Sequence, residues 1–252
     1  MAGHSKWKNI KHKKAATDAV RGKVFSKISK EITVAARAGG GDPNANITLR
    51  AFIVKARAAN MSADIIDRAI KRGTGEIEGL VLEEIVYEGF APGGISLIVQ
   101  CMSENKNRTA SEVRFTFTKH GGNLAAQGSV TRSFKRKGCI VVNAADVNED
   151  KLIEIALDAG AEDVNRDGDV FEVTCEPAQY PALAEALAKA GIQTETSEVS
   201  LIPDLQVPIS DRDKAANIMK FVDALEELDD VQNVYMNASI DDAVMEALAG
   251  AS

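Results

Sequence analysis

The chain changes character at Gly75. Residues 1 to 75 carry 16 Lys and Arg against 5 Asp and Glu, a local net of +11, and their apolar residues recur at helical spacing. Residues 76 to 252 carry 14 against 32, a net of −18, and alternate strand-like with helix-like stretches. The overall −7 and a pI near 5.2 therefore conceal a strongly basic module. Charge asymmetry of this kind points to a polyanion bound by one part of the chain, so a nucleic-acid partner is expected.

With 252 residues, 45% apolar and 27% charged, the chain can build one large domain or two to three small ones. No apolar run approaches the roughly 20 residues that span a bilayer, and the Lys-rich start has no apolar segment after it. The expectation is a cytoplasmic protein with no membrane partner. Cys101, Cys139 and Cys175 sit in apolar, strand-like surroundings without zinc-type spacing, so they are expected as buried thiols, with no metal and no cofactor.

The first sixteen residues, MAGHSKWKNIKHKKAA, set Lys6, Lys8, Lys11, Lys13 and Lys14 around Trp7, with His4 and His12 between them and no acid. Such a segment has too little apolar area to offset backbone ordering of about 1 to 2 kcal/mol per residue. A Trp there has no core role, but a base stacked on it gains about 1 to 3 kcal/mol while the lysines hold phosphates. These eight residues, with Arg21, Lys23, Lys71 and Arg72 from the neighbouring helical region, are the candidate nucleic-acid-binding set.

Three helices are expected next. The first runs from Asp18 to Ala38 with Val20, Val24, Ile28, Ile32 and Ala35 on one face, and Gly39 to Gly41 end it. Asn46 caps the second, which turns Leu49, Phe52, Ile53 and Ala56 inward. The third starts after Ser62, carries Asp64 and Asp67 early and Lys71 and Arg72 late, and is expected to stop at Gly73.

Beyond Gly75, Leu82 to Gly89 and Ile95 to Cys101 read as strands joined by Pro92-Gly93-Gly94. A helix is expected from Arg108 to His120 with Asn107 as its cap, and a strand-like stretch ends at Phe134. The loop Asn105, Lys106, Asn107, Arg108 and Thr109 is a candidate anion or partner site at that helix start. From Gly138 the order becomes strand (Cys139 to Asn143), helix (Asp146 to Ala159, with Asp146 and Glu149 as cap pair), and a hairpin turning at Asp167-Gly168. A helix (Ala178 to Ala190) and a strand (Thr194 to Ile202) complete it. That is β-α-β-β-α-β, the ferredoxin-like arrangement.

Two elements remain, a helix from Ser210 and a strand from Val231 to Met236, and alone they cannot bury their apolar faces. The economical solution is insertion. The fold expected is α+β with three domains. Residues 1 to 75 form a three-helix bundle with a basic arm; residues 76 to 137 with 204 to 238 form a middle α/β domain; residues 138 to 203 are the inserted ferredoxin-like domain, and 239 to 252 a tail.

The stretches AGHSKWKNIKHKKAA, RAIKRGTGE, YEGFAPGG, NKNRT, FTKHGGNL and LEELDDVQNVY, in order along the whole chain, resemble the YebC/TACO family. The resemblance implies three domains and no catalytic activity. It also implies a role in gene expression: bacterial members are described as probable DNA-binding transcriptional regulators, others as ribosome-associated translation factors acting at proline-rich stretches.

Three functions are weighed. A nucleic-acid-binding regulator, with DNA or ribosomal and transfer RNA as target and a monomer favoured, accounts for the basic module. An enzyme is poorly served: His4 and His12 are in the arm, His120 is at a helix end, and Glu83-Glu84, Glu226-Glu227 and Asp229-Asp230 read as solvated charge. An adaptor that docks protein on its acidic part needs the arm only for solubility.

Overall fold

A computed structural model describes residues 18–78 and 81–250. Two compact units divide them. One runs to Gln127 and takes in Asp213–Val234; the second comprises Gly128–Arg212 and the residues from Tyr235 onward.

The first unit begins with three helices, α1 (Asp18–Gly39), α2 (Ile47–Ala58) and α3 (Ala63–Thr74). Their shared core joins Ile28, Ile32, Leu49, Ile53 and Ala56, all read from spacing, to Ile66 and Ala69 of α3, for which no stripe was expected. Each large side chain buried there stabilises by about 1.5 to 3 kcal/mol. Asn46 caps α2 as expected, accepting from the Leu49 N–H at 3.0 Å, while its own amide donates to the Ala35 and Gly40 carbonyls. That second half of the contact ties the α1 end to the α2 start.

The stop at Gly73 is corrected. Gly73 is buried inside α3, and the left-handed residue that ends the helix is Gly75, with φ +82°. A Cβ on Gly73 would lie 2.4 Å from the Thr33 carbonyl and 2.6 Å from the Ala36 Cβ, so the glycine is there to let α3 touch α1. The Thr33 hydroxyl donates to the Ala69 carbonyl at 3.1 Å across the same contact.

The sheet of this unit has the order β3-β1-β2-β9, from β1 (Glu83–Ala91), β2 (Ile95–Ser103), β3 (Asn123–Leu124) and β9 (Val231–Met236). β1 and β2 pair antiparallel from Glu83–Ser103 to Ala91–Ile95, and the turn between them uses two positive-φ glycines, Gly93 and Gly94. Helices α4 (Lys106–Lys119) and α7 (Arg212–Glu226) supply the apolar cover; the Phe117 and Phe221 rings meet edge to face at 5.0 Å. His120 stacks on Phe221 at 5.3 Å. β1 admits this layer because Gly89 has no side chain: a Cβ there would come within 2.3 Å of the Phe117 ring.

The second unit holds β4 (Phe134–Asn143), α5 (Glu149–Asp158), β5 (Ala161–Asp167), β6 (Val170–Cys175), α6 (Tyr180–Lys189) and β7 (Thr196–Pro203). The sheet order β5-β6-β4-β7 is that of a ferredoxin-like domain. Ile140, Val142, Leu152, Phe171, Val173, Leu183 and Leu187 fill the space between sheet and helices. Three local expectations are corrected. The stretch before Phe134 is a short 3-10 turn, and the strand instead begins at Phe134 because β7 offers a partner along Phe134–Val141. Asn148, not Asp146, caps α5, its Oδ1 accepting from the Lys151 N–H at 3.0 Å. The hairpin turns on Gly168 and Asp169, with Asp167 paired to Val170.

Beyond this sheet, β8 (Val207–Ile209) runs parallel to β10 (Ala238–Ile240), and α8 (Asp242–Gly250) comes after them. Met245 is wholly buried. The residues expected only as a tail thus continue as a strand and a helix.

Candidate nucleic-acid interface

The arm bearing His4, Lys6, Trp7, Lys8, Lys11, His12, Lys13 and Lys14 lies outside the described residues. Arg21 belongs to α1, one turn or less from Lys23. Lys71 and Arg72 stand in the last turn of α3, where cations complement the helix dipole. Lys71 is held above its usual value by a hydrogen bond and the charge of Asp67, 2.8 Å away, while Arg72 is exposed.

The lysines of α1 have a second occupation. Lys23, Lys27 and Lys30, at i, i+4 and i+7, reach the carbonyls where α7 ends: Lys23 Nζ to Glu227 O at 3.3 Å, Lys27 Nζ to Glu226 O at 3.2 Å, Lys30 Nζ to Asp229 O at 2.9 Å. Those carbonyls have no helical N–H to accept from, so three cations on one face satisfy them and meet the negative dipole end. Lys23 remains exposed beyond its carbonyl contact and borders a cleft shared with Ser26, Lys27 and Glu227.

The loop from Asn105 to Thr109 is built around Asp230. Asn105, not Asn107, is the cap of α4, accepting from the Arg108 N–H at 3.1 Å; its earlier position lets the helix begin at Lys106. Arg108 Nη2 donates to Asp230 Oδ2 at 2.7 Å, and so do Thr109 Oγ1 at 2.8 Å and Ser103 Oγ at 2.9 Å. Lys30 Nζ donates to the other oxygen at 2.9 Å. Lys106 pairs with Glu83, and Asn107 is exposed. Burial alone would raise the Asp230 carboxyl, but the hydrogen bonds from Arg108, Lys30, Thr109 and Ser103 outweigh it and hold the group well below the usual carboxylate range.

Asp230 is the residue sequence reasoning missed. Read as solvated charge beside Asp229, it is 5% exposed at its side chain and joins α1, β2 and α4. Its donors lie 121 to 200 positions away in the chain, so no local signal marks it. The i, i+4, i+7 spacing of Lys23, Lys27 and Lys30 puts them on one helix face, but nothing in the sequence says what that face meets.

All three cysteines are buried. Burial pushes the Cys101 and Cys139 thiols up to about 12, so neither is a thiolate at neutral pH. Among the described residues, no group of three or more His, Cys, Asp and Glu is placed to hold a metal ion. No described helix is long and apolar enough to cross a membrane.

Two family profiles match in succession: the TACO1/YebC protein N-terminal domain over residues 5–76, and the TACO1/YebC second and third domain over residues 82–238. Similar proteins include a probable transcriptional regulatory protein of Geobacter sulfurreducens, 52% identical over 98% of this chain and all of that one. Another, from Thermobifida fusca, is 53% identical over 97% of this chain and 98% of its own. A crystal structure of a conserved hypothetical protein from Aquifex aeolicus, 47% identical, superposes with a TM-score of 0.81 over 89% of this chain and 93% of that one.

Proposed function

Because the chain belongs to the TACO1/YebC family, we propose that it is a nucleic-acid-binding regulator of gene expression without catalytic activity, acting as a DNA-binding transcriptional regulator. What supports the reading is one coincidence: a local net charge of +11 in the first 75 residues, on a chain similar throughout its length to proteins named probable transcriptional regulatory proteins. In this reading His4 to Lys14 close on the phosphate backbone and Trp7 stacks on a base or sugar, while Arg21, Lys23, Lys71 and Arg72 extend the cationic surface. The loop from Asn105 to Thr109 is a partner contact through its exposed members Lys106 and Asn107. The three-domain division stated from the sequence, a monomeric state and a cytoplasmic location belong to the same proposal.

The test is binding of the full chain to a fluorescent 30-base-pair duplex over a range of salt. With six phosphates neutralised, affinity falls about a thousandfold between 50 and 200 mM, following a slope near −0.9 per contact. Changing Lys6, Lys8, Lys11, Lys13 and Lys14 to Gln together reduces that slope by about 4 to 5. An affinity indifferent to salt refutes the reading. Sedimentation with ribosomes that requires residues 1 to 16, without duplex binding, replaces DNA by RNA as the target.

A further inference from the structure

Helix α4 is a basic island in the acidic part of the chain. Its fourteen residues carry Lys106, Arg108, Arg114 and Lys119 against Glu112 alone, a net of +3, while the rest of residues 76 to 252 sums to −21. In the other basic run, Arg132 to Lys137, two of the four cations are paired within their own unit: Lys135 with Asp204 at 2.8 Å, and Lys137 with Glu162 and Glu176. Its aromatic, Phe134, is buried. On α4 two of the four cations are likewise paired, Lys106 with Glu83 and Arg108 with Asp230, but one of its two aromatics is left in solvent. Val113, Thr116 and Phe117 turn inward, and Phe115 stands 67% exposed, the one aromatic among the large apolar side chains left in solvent among the described residues.

Around that ring the charges are available. Lys119 lies one turn on from Phe115, about 5 to 6 Å away between Cβ atoms, and Arg114 adjoins it. Neither has an ion pair among the described residues, and both are exposed. A single exposed apolar residue needs no explanation on its own. An exposed aromatic ring with one exposed cation beside it and another a turn on, neither ion-paired among the described residues, does.

We propose that the outer face of α4, formed by Arg114, Phe115 and Lys119, is a second nucleic-acid contact that takes an unpaired stretch of DNA, one base stacking on Phe115 while Arg114 and Lys119 hold the flanking phosphates. The inference rests on the DNA-binding reading of the basic module. A duplex does not fit this face, since its bases are already stacked on one another and present no free ring to Phe115.

The experiment is fluorescence anisotropy of the full chain with a 12-nucleotide single-stranded DNA, with the same sequence closed as a duplex hairpin, and with the RNA of that sequence. Phe115→Ala weakens single-strand binding about tenfold and leaves the duplex within twofold. Phe115→Trp restores it. Arg114→Gln with Lys119→Gln lowers the single-strand salt slope by about 1.4. Unchanged single-strand affinity in Phe115→Ala, or an equal loss on both DNA forms, overturns the proposal; dependence on Phe115 for RNA alone overturns the assignment to DNA. Wild-type protein that binds the single strand in a Phe115-dependent way but not the duplex refutes the duplex-binding reading and leaves the α4 face standing. Failure to bind either form sinks both.

Discussion

Replacing Asp230 by Asn tests the network that joins α1 to the sheet. The amide keeps the volume but offers one acceptor oxygen in place of two, with an NH2 where the other stood. Lys30 uses Oδ1, while Arg108, Thr109 and Ser103 share Oδ2, so in either orientation at least one cation faces a donor. Removing one member of a buried ion pair costs about 3 to 5 kcal/mol. Here Lys30 and Arg108 keep 18% and 44% side-chain exposure, so water relieves them in part and the lower figure, about 3 kcal/mol, applies. The unit containing Asp230 has about 140 residues and an unfolding entropy near 0.3 kcal/mol/K, so its thermal midpoint falls by about 10 °C. Acid sharpens the test. The folded carboxyl is held below its ordinary value, which is about 3.9 in the unfolded chain. Its stabilisation is therefore complete above roughly pH 5 and is lost as pH falls through the folded value, by up to about 1.4 kcal/mol per unit. Circular dichroism melts between pH 7 and pH 3 read both effects: wild type loses stability steeply at the acid end, and Asp230→Asn loses that share of the slope. A variant melting within about 3 °C of wild type at pH 7, or with an unchanged acid slope, refutes the account. Asp67→Asn, whose carboxylate is an exposed partner of Lys71, changes stability by under about 0.5 kcal/mol and serves as control.

Three further outcomes are expected. Gly73→Ala forces α3 away from Thr33 and Ala36 and destabilises by about 2 to 3 kcal/mol in chemical denaturation, whereas Gly22→Ala, with nothing within 4 Å of the new methyl, stabilises α1 by up to about 1 kcal/mol. Leu183→Ala, at a wholly buried position between α6 and the β5-β6-β4-β7 sheet, costs about 2 to 5 kcal/mol, measured by the same method. Gln232→Leu raises stability by about 1 to 2 kcal/mol, because both amide atoms of Gln232 are buried with no hydrogen-bond partner among the described residues; a destabilised variant would show that the amide is satisfied.

Much of this was legible in the chain. The helix stripes of α1 and α2 appear where Ile28, Ile32, Leu49 and Ile53 repeat, and Asn46 caps where a side-chain acceptor precedes an apolar run. The order β-α-β-β-α-β could be read because each element announces itself within ten residues or so. Boundaries slipped where the deciding contact was remote: Phe134 opens β4 only because β7 lies alongside, and Gly73 belongs inside α3 only because α1 presses against it.

The candidate interface divides the same way. Cationic density near the start of the chain, its lone Trp, and the polarity change at Gly75 are properties of composition, and composition alone determined them, along with helix spacing and strand order. Which charges are spent inside the molecule was decided by tertiary structure. Lys30 and Asp230 look like any other solvated ions along the sequence, and Arg108 like a residue facing an anion at a helix start; only the approach of segments more than a hundred residues apart gathers both cations on one buried carboxylate. Phe115 and Phe117 are two positions apart and chemically identical, yet one covers the sheet and the other meets water. Local periodicity comes from the backbone geometry of neighbours, whereas burial of a charge or a ring depends on what the rest of the chain brings to it.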